Sequence, residues 1–135
     1  LKMRTSGKVI FEIESRSPEL ATAMVSIPLF DWVIENITKN AIDAMEGSGE
    51  IKYLIIPTKS KLIIDISDTG KGIPSKHFKT IFKPGFTTKK RGWGLGLSLV
   101  KRIIESYHKG TIIVKESIPG KGTTFRIVLK RSSDI

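Results

Sequence analysis

The sequence predicts an α+β domain, a two-layer α/β sandwich in which a mixed, mostly antiparallel sheet is covered on one face by helices. Three observations carry that expectation. Apolar segments that read as strands adjoin one another through short turns, two long segments carry a helical period, and the two kinds do not alternate strictly. The last point excludes a purely parallel doubly wound sheet. At 135 residues the chain is sized for one domain and one core, here taken as residues 1–135. It opens on Leu1 without a charged and apolar leader, so it is expected to be a fragment of a longer protein.

Taken in order, Val9, Phe11 and Ile13 alternate with polar neighbours over residues 8–14 and predict a half-buried strand. Residues 21–27 predict a second, weaker strand. From Pro28 the period changes: Phe30, Val33, Ile34, Ile37, Ala41, Ala44 and Met45 recur at helical spacing, with proline in the first turn and Gly47 beyond the end. Residues 51–56 and 62–66 are apolar, flank a short turn, and predict a strand pair that runs into Asp68-Thr69-Gly70-Lys71-Gly72. A short helix is expected near residues 75–82, then an irregular segment over 84–93. Residues 95–107 predict a second long helix with Leu95, Leu99, Ile103 and Tyr107 along one face and Gly110 as its stop. Residues 111–114 and 123–129 close the chain as strands around a turn at Pro119-Gly120-Lys121-Gly122.

Composition narrows the chemistry. There are no cysteines, which excludes disulfides, thiolate metal sites and cysteine nucleophiles, and fits a cytoplasmic location for the domain. A net charge of +10 is compatible with nucleic acid, an anionic surface or a polyphosphate. The lysines are dispersed except for Lys83, Lys89, Lys90 and Arg91, which fall in one Gly- and Thr-rich loop. Exposed aromatics interleaved with the basic residues are lacking, so no nucleic-acid partner is expected.

Four short segments carry candidate chemistry. On the first helix Asn36, Asn40 and Asp43 share one border of the apolar arc, where an unsatisfied amide costs about 1–3 kcal/mol. A ligand or a neighbouring loop would satisfy them, and a neutral amide oxygen such as that of Asn40 suits Mg²⁺ beside phosphates. Asp68 ends an apolar strand before Gly70-x-Gly72, where it either makes a turn or accepts a hydrogen bond from an exocyclic amine. Phe82-Lys83-Pro84-Gly85-Phe86-Thr87-Thr88-Lys89 offers hydroxyl and ammonium groups between two aromatic anchors. Gly92-x-Gly94-x-Gly96 stands at a helix start, where backbone N–H groups favour anions. It is not the Walker pattern, since no Gly-Lys-Ser/Thr follows.

In this order the segments resemble the N, G1, F and G2 boxes of the histidine-kinase branch of the ATPase superfamily shared with DNA gyrase, Hsp90 and the MutL proteins. Gly122-Thr123-Thr124-Phe125 resembles the threonine-bearing strand that closes the adenine pocket there. The resemblance spans residues 9–129 and implies a Bergerat-type ATP-binding fold with ATP and Mg²⁺ as cofactors. It implies that Asp68 binds the adenine amine, that Gly70 and Gly72 shape the pocket floor, and that Thr123 supports the base. Asn40 would hold Mg²⁺. Asn36 would order the triphosphate, and Asn36 and Lys89 are the implied catalytic pair. Thr87, Thr88 and Lys89 would lie near the γ-phosphate on a lid of residues 83–91, mobile without ligand and pinned by Phe82 and Phe86. Gly92, Gly94 and Gly96 would receive the phosphates, and Ile73, Leu95 and Leu97 complete the implied nucleotide contacts.

The implied activity is transfer of the γ-phosphate to a histidine on a helical dimerisation domain of the same protein, with a response-regulator receiver domain as the indirect partner. The parent protein would be homodimeric and anchored in the inner membrane. A stand-alone serine kinase of the anti-sigma-factor type is the alternative. Two departures matter. Many kinases of this branch carry a basic residue where Asp43 stands, which leaves Lys39 or Lys89 to meet the phosphate charge. The hydrolases of the superfamily place a general-base glutamate where Asn36 stands, and an amide does not deprotonate water. Glu35 is expected to face solvent or a partner, and His77 and His108 are expected to be surface histidines rather than acceptors.

Overall fold

The computed structural model describes residues 8–86 and 96–131. In chain order its elements are β1 (Val9–Ser15), α1 (Ile27–Ala44), β2 (Gly49–Pro57), β3 (Lys61–Asp68), α2 (Gly96–Arg102), β4 (Thr111–Ile118) and β5 (Gly122–Lys130). Single 3₁₀ turns occupy Pro18–Leu20, Ser75–His77 and Thr80–Phe82, and a π-helical stretch, Ile103–Tyr107, extends α2. The five strands form one sheet in the order β1-β2-β3-β5-β4. β1 runs parallel to β2, with α1 as the crossover such a pair requires, and the remaining pairs are antiparallel. The mixed, mostly antiparallel sheet is the expected one.

Alternation along the strands decides which face is buried. Leu62, Ile64 and Ile66 of β3 and Thr123, Phe125, Ile127 and Leu129 of β5 point inward, flanked by Ile51 and Tyr53 of β2 and Ile112 and Val114 of β4. α1 lays Val33, Ile37, Ala41 and Met45 on this face, and the second helical segment adds Val100 and Ile104. Thr38 shares the buried stripe of α1 because its hydroxyl pairs with the Tyr53 hydroxyl at 2.7 Å. The opposite face is polar at its centre. There Arg126 grips Asp65 through two bonds of 2.8 and 2.9 Å, and Lys115 stands 3.5 Å away. Burial pushes the Asp65 carboxyl up, but the Arg126 guanidinium and Lys115 outweigh it and hold the group below its ordinary value.

Several elements depart from the sequence reading. β1 forms, but it is not half-buried: Phe11 and Ile13 share the inward face of Ile51 and Tyr53, yet at the rim of the sheet they stay 37% and 70% exposed. Residues 21–27 do not make a strand; only an isolated bridge joins Ala23 to Arg131 before α1 begins. The expected helix near residues 75–82 is two separate 3₁₀ turns. The second long helix buries Val100 and Ile104, while Leu99 and Tyr107 of the expected face are exposed. Two apolar rows lie one residue apart on that helix, and period alone does not rank them; the π-helical turn from Ile103 also changes the phase. Its stop is shared, since Lys109 takes the left-handed backbone (φ 57°) and a side chain on Gly110 would strike the Val128 carbonyl.

Candidate functional site

Asp68 ends β3 at the open edge of the inward face, and its carboxylate is held by main chain. The Gly70 N–H donates to Asp68 Oδ1 at 2.8 Å, and the Thr123 N–H donates to the same oxygen at 3.3 Å. Among the described residues no hydrogen bond ends on Oδ2, so one oxygen is anchored and the other is presented as an acceptor. Burial pushes the carboxyl above its ordinary value, and the two N–H bonds oppose the shift without cancelling it. A partly desolvated carboxylate with a fixed plane is suited to accept a directed hydrogen bond from a ligand amine.

Close backbone approach requires glycines around it. A Cβ on Gly70 would lie 2.8 Å from the Ala44 main chain, so this loop packs directly on the end of α1. Gly72 has φ +81° and a Cβ there would fall 2.6 Å from the Ile118 carbonyl oxygen. Gly122, at φ +139°, would drive a side chain into the Asp68 carbonyl. The two glycines expected to shape a pocket floor, Gly70 and Gly72, together with Gly122, are thus also points where β3, β4, β5 and α1 meet.

Thr123 is buried, and its hydroxyl lies 2.7 Å from Ser117 Oγ. The Ser117 hydroxyl donates to the Gly122 carbonyl at 3.2 Å and accepts from the Ile73 N–H at 2.7 Å. Thr123 and Ile73 are therefore linked through Ser117, a residue the sequence reading missed. Its signal was absent, because the register shift between Val114 and Glu116 reverses the alternation in β4 just before it.

α1 supplies the second wall. The Asn36 side-chain amide donates to the Trp32 carbonyl at 2.8 Å, which turns its oxygen toward the start of α2: a Cβ on Gly96 would lie 3.4 Å from Asn36 Oδ1. Asn40 lies one turn further on and is half-buried, whereas Asp43 and Glu35 are exposed. Among the described residues no three His, Cys, Asp or Glu side chains gather to hold a metal ion. A donor set of one carboxamide fits Mg²⁺ only in the form in which the ion keeps its waters and takes phosphate oxygens.

Phe82 is a core residue here, edge-on to Phe125 with ring centres 6.2 Å apart and with the Lys101 ammonium 5.4 Å from its ring centre. Phe86 packs tilted against His77. Leu97 is half-buried at the start of α2. Thr87, Thr88, Lys89, Gly92, Gly94 and Leu95 lie outside the described residues. The structure thus brings together Asp68, Gly70, Gly72, Ile73 and Thr123 on one side, and Asn36 and Gly96 on the other. His108 is not the surface histidine expected: both ring nitrogens bond main-chain atoms.

Comparison with known proteins places this geometry. Residues 26–133 match the family described as histidine kinase-, DNA gyrase B-, and HSP90-like ATPase. The sensor kinase CckA of Brucella abortus (strain 2308) is 39% identical over 148 residues, covering 97% of this chain and 15% of its own length. The solved catalytic domain of the histidine kinase ThkA, in a nucleotide-free form, superposes with a TM-score of 0.80 at 31% identity over 91% of this chain and 80% of its own. ThkA in complex with the response regulator TrrA superposes at 0.76 with 27% identity, covering 92% of this chain and 34% of that one. The chain spans between 15% and 23% of the length of eight curated relatives it matches.

Proposed function

We propose that this chain, which belongs to the histidine kinase-, DNA gyrase B- and HSP90-like ATPase family, binds MgATP and donates the γ-phosphate to a histidine on a separate helical dimerisation domain of its parent protein. The observation that carries the reading is the Asp68 carboxylate, locked through one oxygen by the Gly70 and Thr123 N–H groups. Asp68 Oδ2 accepts from the adenine amine, Thr123 and Ile73 border the base, and Gly70 and Gly72 let the ring approach the main chain. Asn36 and Asn40 face the phosphates, with Asn40 as the protein ligand of Mg²⁺. When bound, the ion neutralises phosphate charge. Lys89, Thr87 and Thr88 serve the γ-phosphate, and Gly92, Gly94 and Gly96 receive the chain of phosphates with Leu95 and Leu97 beside them.

Asn36 supports phosphotransfer rather than hydrolysis, since an amide does not take a proton from water and the neighbouring Glu35 is exposed. Rate enhancement then comes from alignment and electrostatic positioning. A response-regulator receiver domain is the onward acceptor, by analogy with the ThkA–TrrA complex. The parent is a homodimer held at the inner membrane by segments outside this chain; no helix among the described residues is long and apolar enough to cross a membrane.

The test is to incubate the chain with radiolabelled ATP and Mg²⁺, alone and with the parent's helical domain. Alone, it should bind nucleotide with almost no self-labelling or phosphate release. With the helical domain, label should appear there as an acid-labile, base-stable adduct. Acid-stable label on serine, or rapid phosphate release without label, would sink the reading.

A further inference from the structure

His108 joins the two helices that flank the site, and it does so through main chain on both sides. Its Nε2 lies 3.0 Å from the Ser26 nitrogen, which is a donor, so Nε2 must be unprotonated and accept. Its Nδ1 lies 3.0 Å from the Ile103 carbonyl oxygen, an acceptor, so Nδ1 must carry the proton. One neutral tautomer satisfies both bonds, and the opposite tautomer satisfies neither. The ring is held edge-on by Phe30 and Tyr107, with centres 6.3 and 5.0 Å away.

The partners matter more than the bonds. Ser26 is the N-cap residue of α1, and its own side chain makes no capping bond. An N-cap amide fixes where a helix starts, and the Ser26 carbonyl accepts the Phe30 N–H at 2.8 Å to begin the ladder. Ile103 opens the π-helical stretch, and its carbonyl also accepts the His108 N–H at 3.1 Å. The wide π turn therefore presents the imidazole across to α1. From Ser26 to Asn36 is about 15 Å of α1, and from His108 back to Gly96 is about 18 Å of helix. The antiparallel helices are thus tied at one end by His108 and brought side by side at the other by Asn36 and Gly96.

We propose that His108 is a positioning residue for the nucleotide site: its neutral imidazole sets the axial register of α1 against α2 and so places Asn36 and Asn40 opposite the start of α2. This rests on the nucleotide-binding reading above, but the tie between the helices can be tested apart from it. In the chain labelled with ¹⁵N at histidine, His108 should show the Nδ1–H, unprotonated-Nε2 pattern at neutral pH. The Nε2–H pattern would overturn the proposal.

Two variants divide the bonds. His108→Gln brings an amide oxygen within reach of the Ser26 N–H and gives up the Ile103 bond; His108→Asn keeps a donor near Ile103 and gives up the bond to α1. Both should melt lower by similar amounts. Affinity for a non-hydrolysable ATP analogue with Mg²⁺ should stay within about twofold in His108→Gln and fall about tenfold in His108→Asn, the scale of one lost hydrogen bond. Equal affinities in the two variants would refute positioning and leave a structural role alone. In an Asn40→Ala background the His108→Asn loss should shrink, since it acts through α1; full additivity would also refute it. A wild-type chain with the expected tautomer but no affinity for ATP would refute the nucleotide reading while upholding the tie between the helices.

Discussion

Replacing Asp68 with asparagine should separate folding from binding, because its two effects on stability oppose each other while its effects on binding run in one direction. In the folded chain the carboxyl titrates above its ordinary value, chiefly through burial. A carboxyl that holds its proton more tightly in the fold favours folding at low pH, and its charged form weighs against the fold once pH has risen through the folded pKa. At pH 7 the charged side chain is therefore a cost that the amide removes. The amide also keeps an oxygen for the Gly70 and Thr123 N–H groups, although as a weaker, uncharged acceptor. The two changes oppose each other, so stability should move by less than about 1 kcal/mol. Binding changes in one direction only. The ligand amine loses a charged acceptor and meets an amide that competes as a donor, a loss of about 1.5–3 kcal/mol or roughly 10- to 150-fold in affinity. Calorimetric titration with ATP and Mg²⁺ beside a thermal melt reads both quantities. Unchanged affinity would remove Asp68 from the pocket, and a fall in melting temperature matching the loss of binding would make the carboxylate structural.

Asn40→Ala should weaken nucleotide binding in Mg²⁺ by about tenfold and have little effect in chelator, read by titration in both conditions; equal losses would sink the metal assignment. Arg126→Met leaves the buried Asp65 with only the longer 3.5 Å contact to Lys115, and should cost about 1.5–3 kcal/mol in a urea melt at pH 7. Because Asp65 is held below its ordinary value of 3.8, its contribution is complete above that pH and is lost as pH falls through the lower folded value, so the variant should lose most of this acid dependence. A variant that keeps the wild-type acid profile would contradict the pairing. Gly70→Ala places a methyl within 2.8 Å of the Ala44 main chain, and should lower stability by about 1–3 kcal/mol as well as binding. A melt unchanged from wild type would show that the loop has room the structure denies it.

The fold was legible wherever a period was long and had one solution. α1 announced itself because proline, a stripe from Phe30 to Met45 and Gly47 agree; β2 and β3 showed as apolar runs around a short turn, and β5 alternates cleanly in burial. β1 was legible as a strand but not as a rim, since period two assigns Phe11 and Ile13 to a face without saying whether a helix covers that part of it. Tertiary context likewise decided between the adjacent rows at Leu99 and Val100. Among site residues, Asp68 and its glycines stood out because turn chemistry and close approach restrict the residue type. Ser117 and His108 were hidden for the opposite reason: each makes a bond to a main-chain group far away in sequence, Ser117 to Ile73 and His108 to Ser26, and many residue types would suit a strand or a helix end equally well.

α1 does more than cover the sheet, because each of its ends belongs to a different part of the site. At its C-terminal end the Lys71 N–H donates to the Ala44 carbonyl at 3.1 Å, so an orphan carbonyl of the helix is satisfied by the loop that follows Asp68. The contact between Gly70 and Ala44 leaves no room for the loop to shift along the helix. At its N-terminal end the His108 ring holds the Ser26 amide and ties the helix to the segment that begins at Gly96. Asn36 and Asn40 stand between these ties. The separation between the Asp68 side and the Asn36 side is then set by a rigid length of helix, about 12 Å from Asn36 to Ala44. Fixing both ends to backbone rather than to side chains makes that length independent of the surface residues of α1. Substitutions at Asp31, Glu35 or Lys39 should therefore alter charge around the site without moving its parts, whereas changes at Ala44, Gly70 or His108 should displace one side relative to the other.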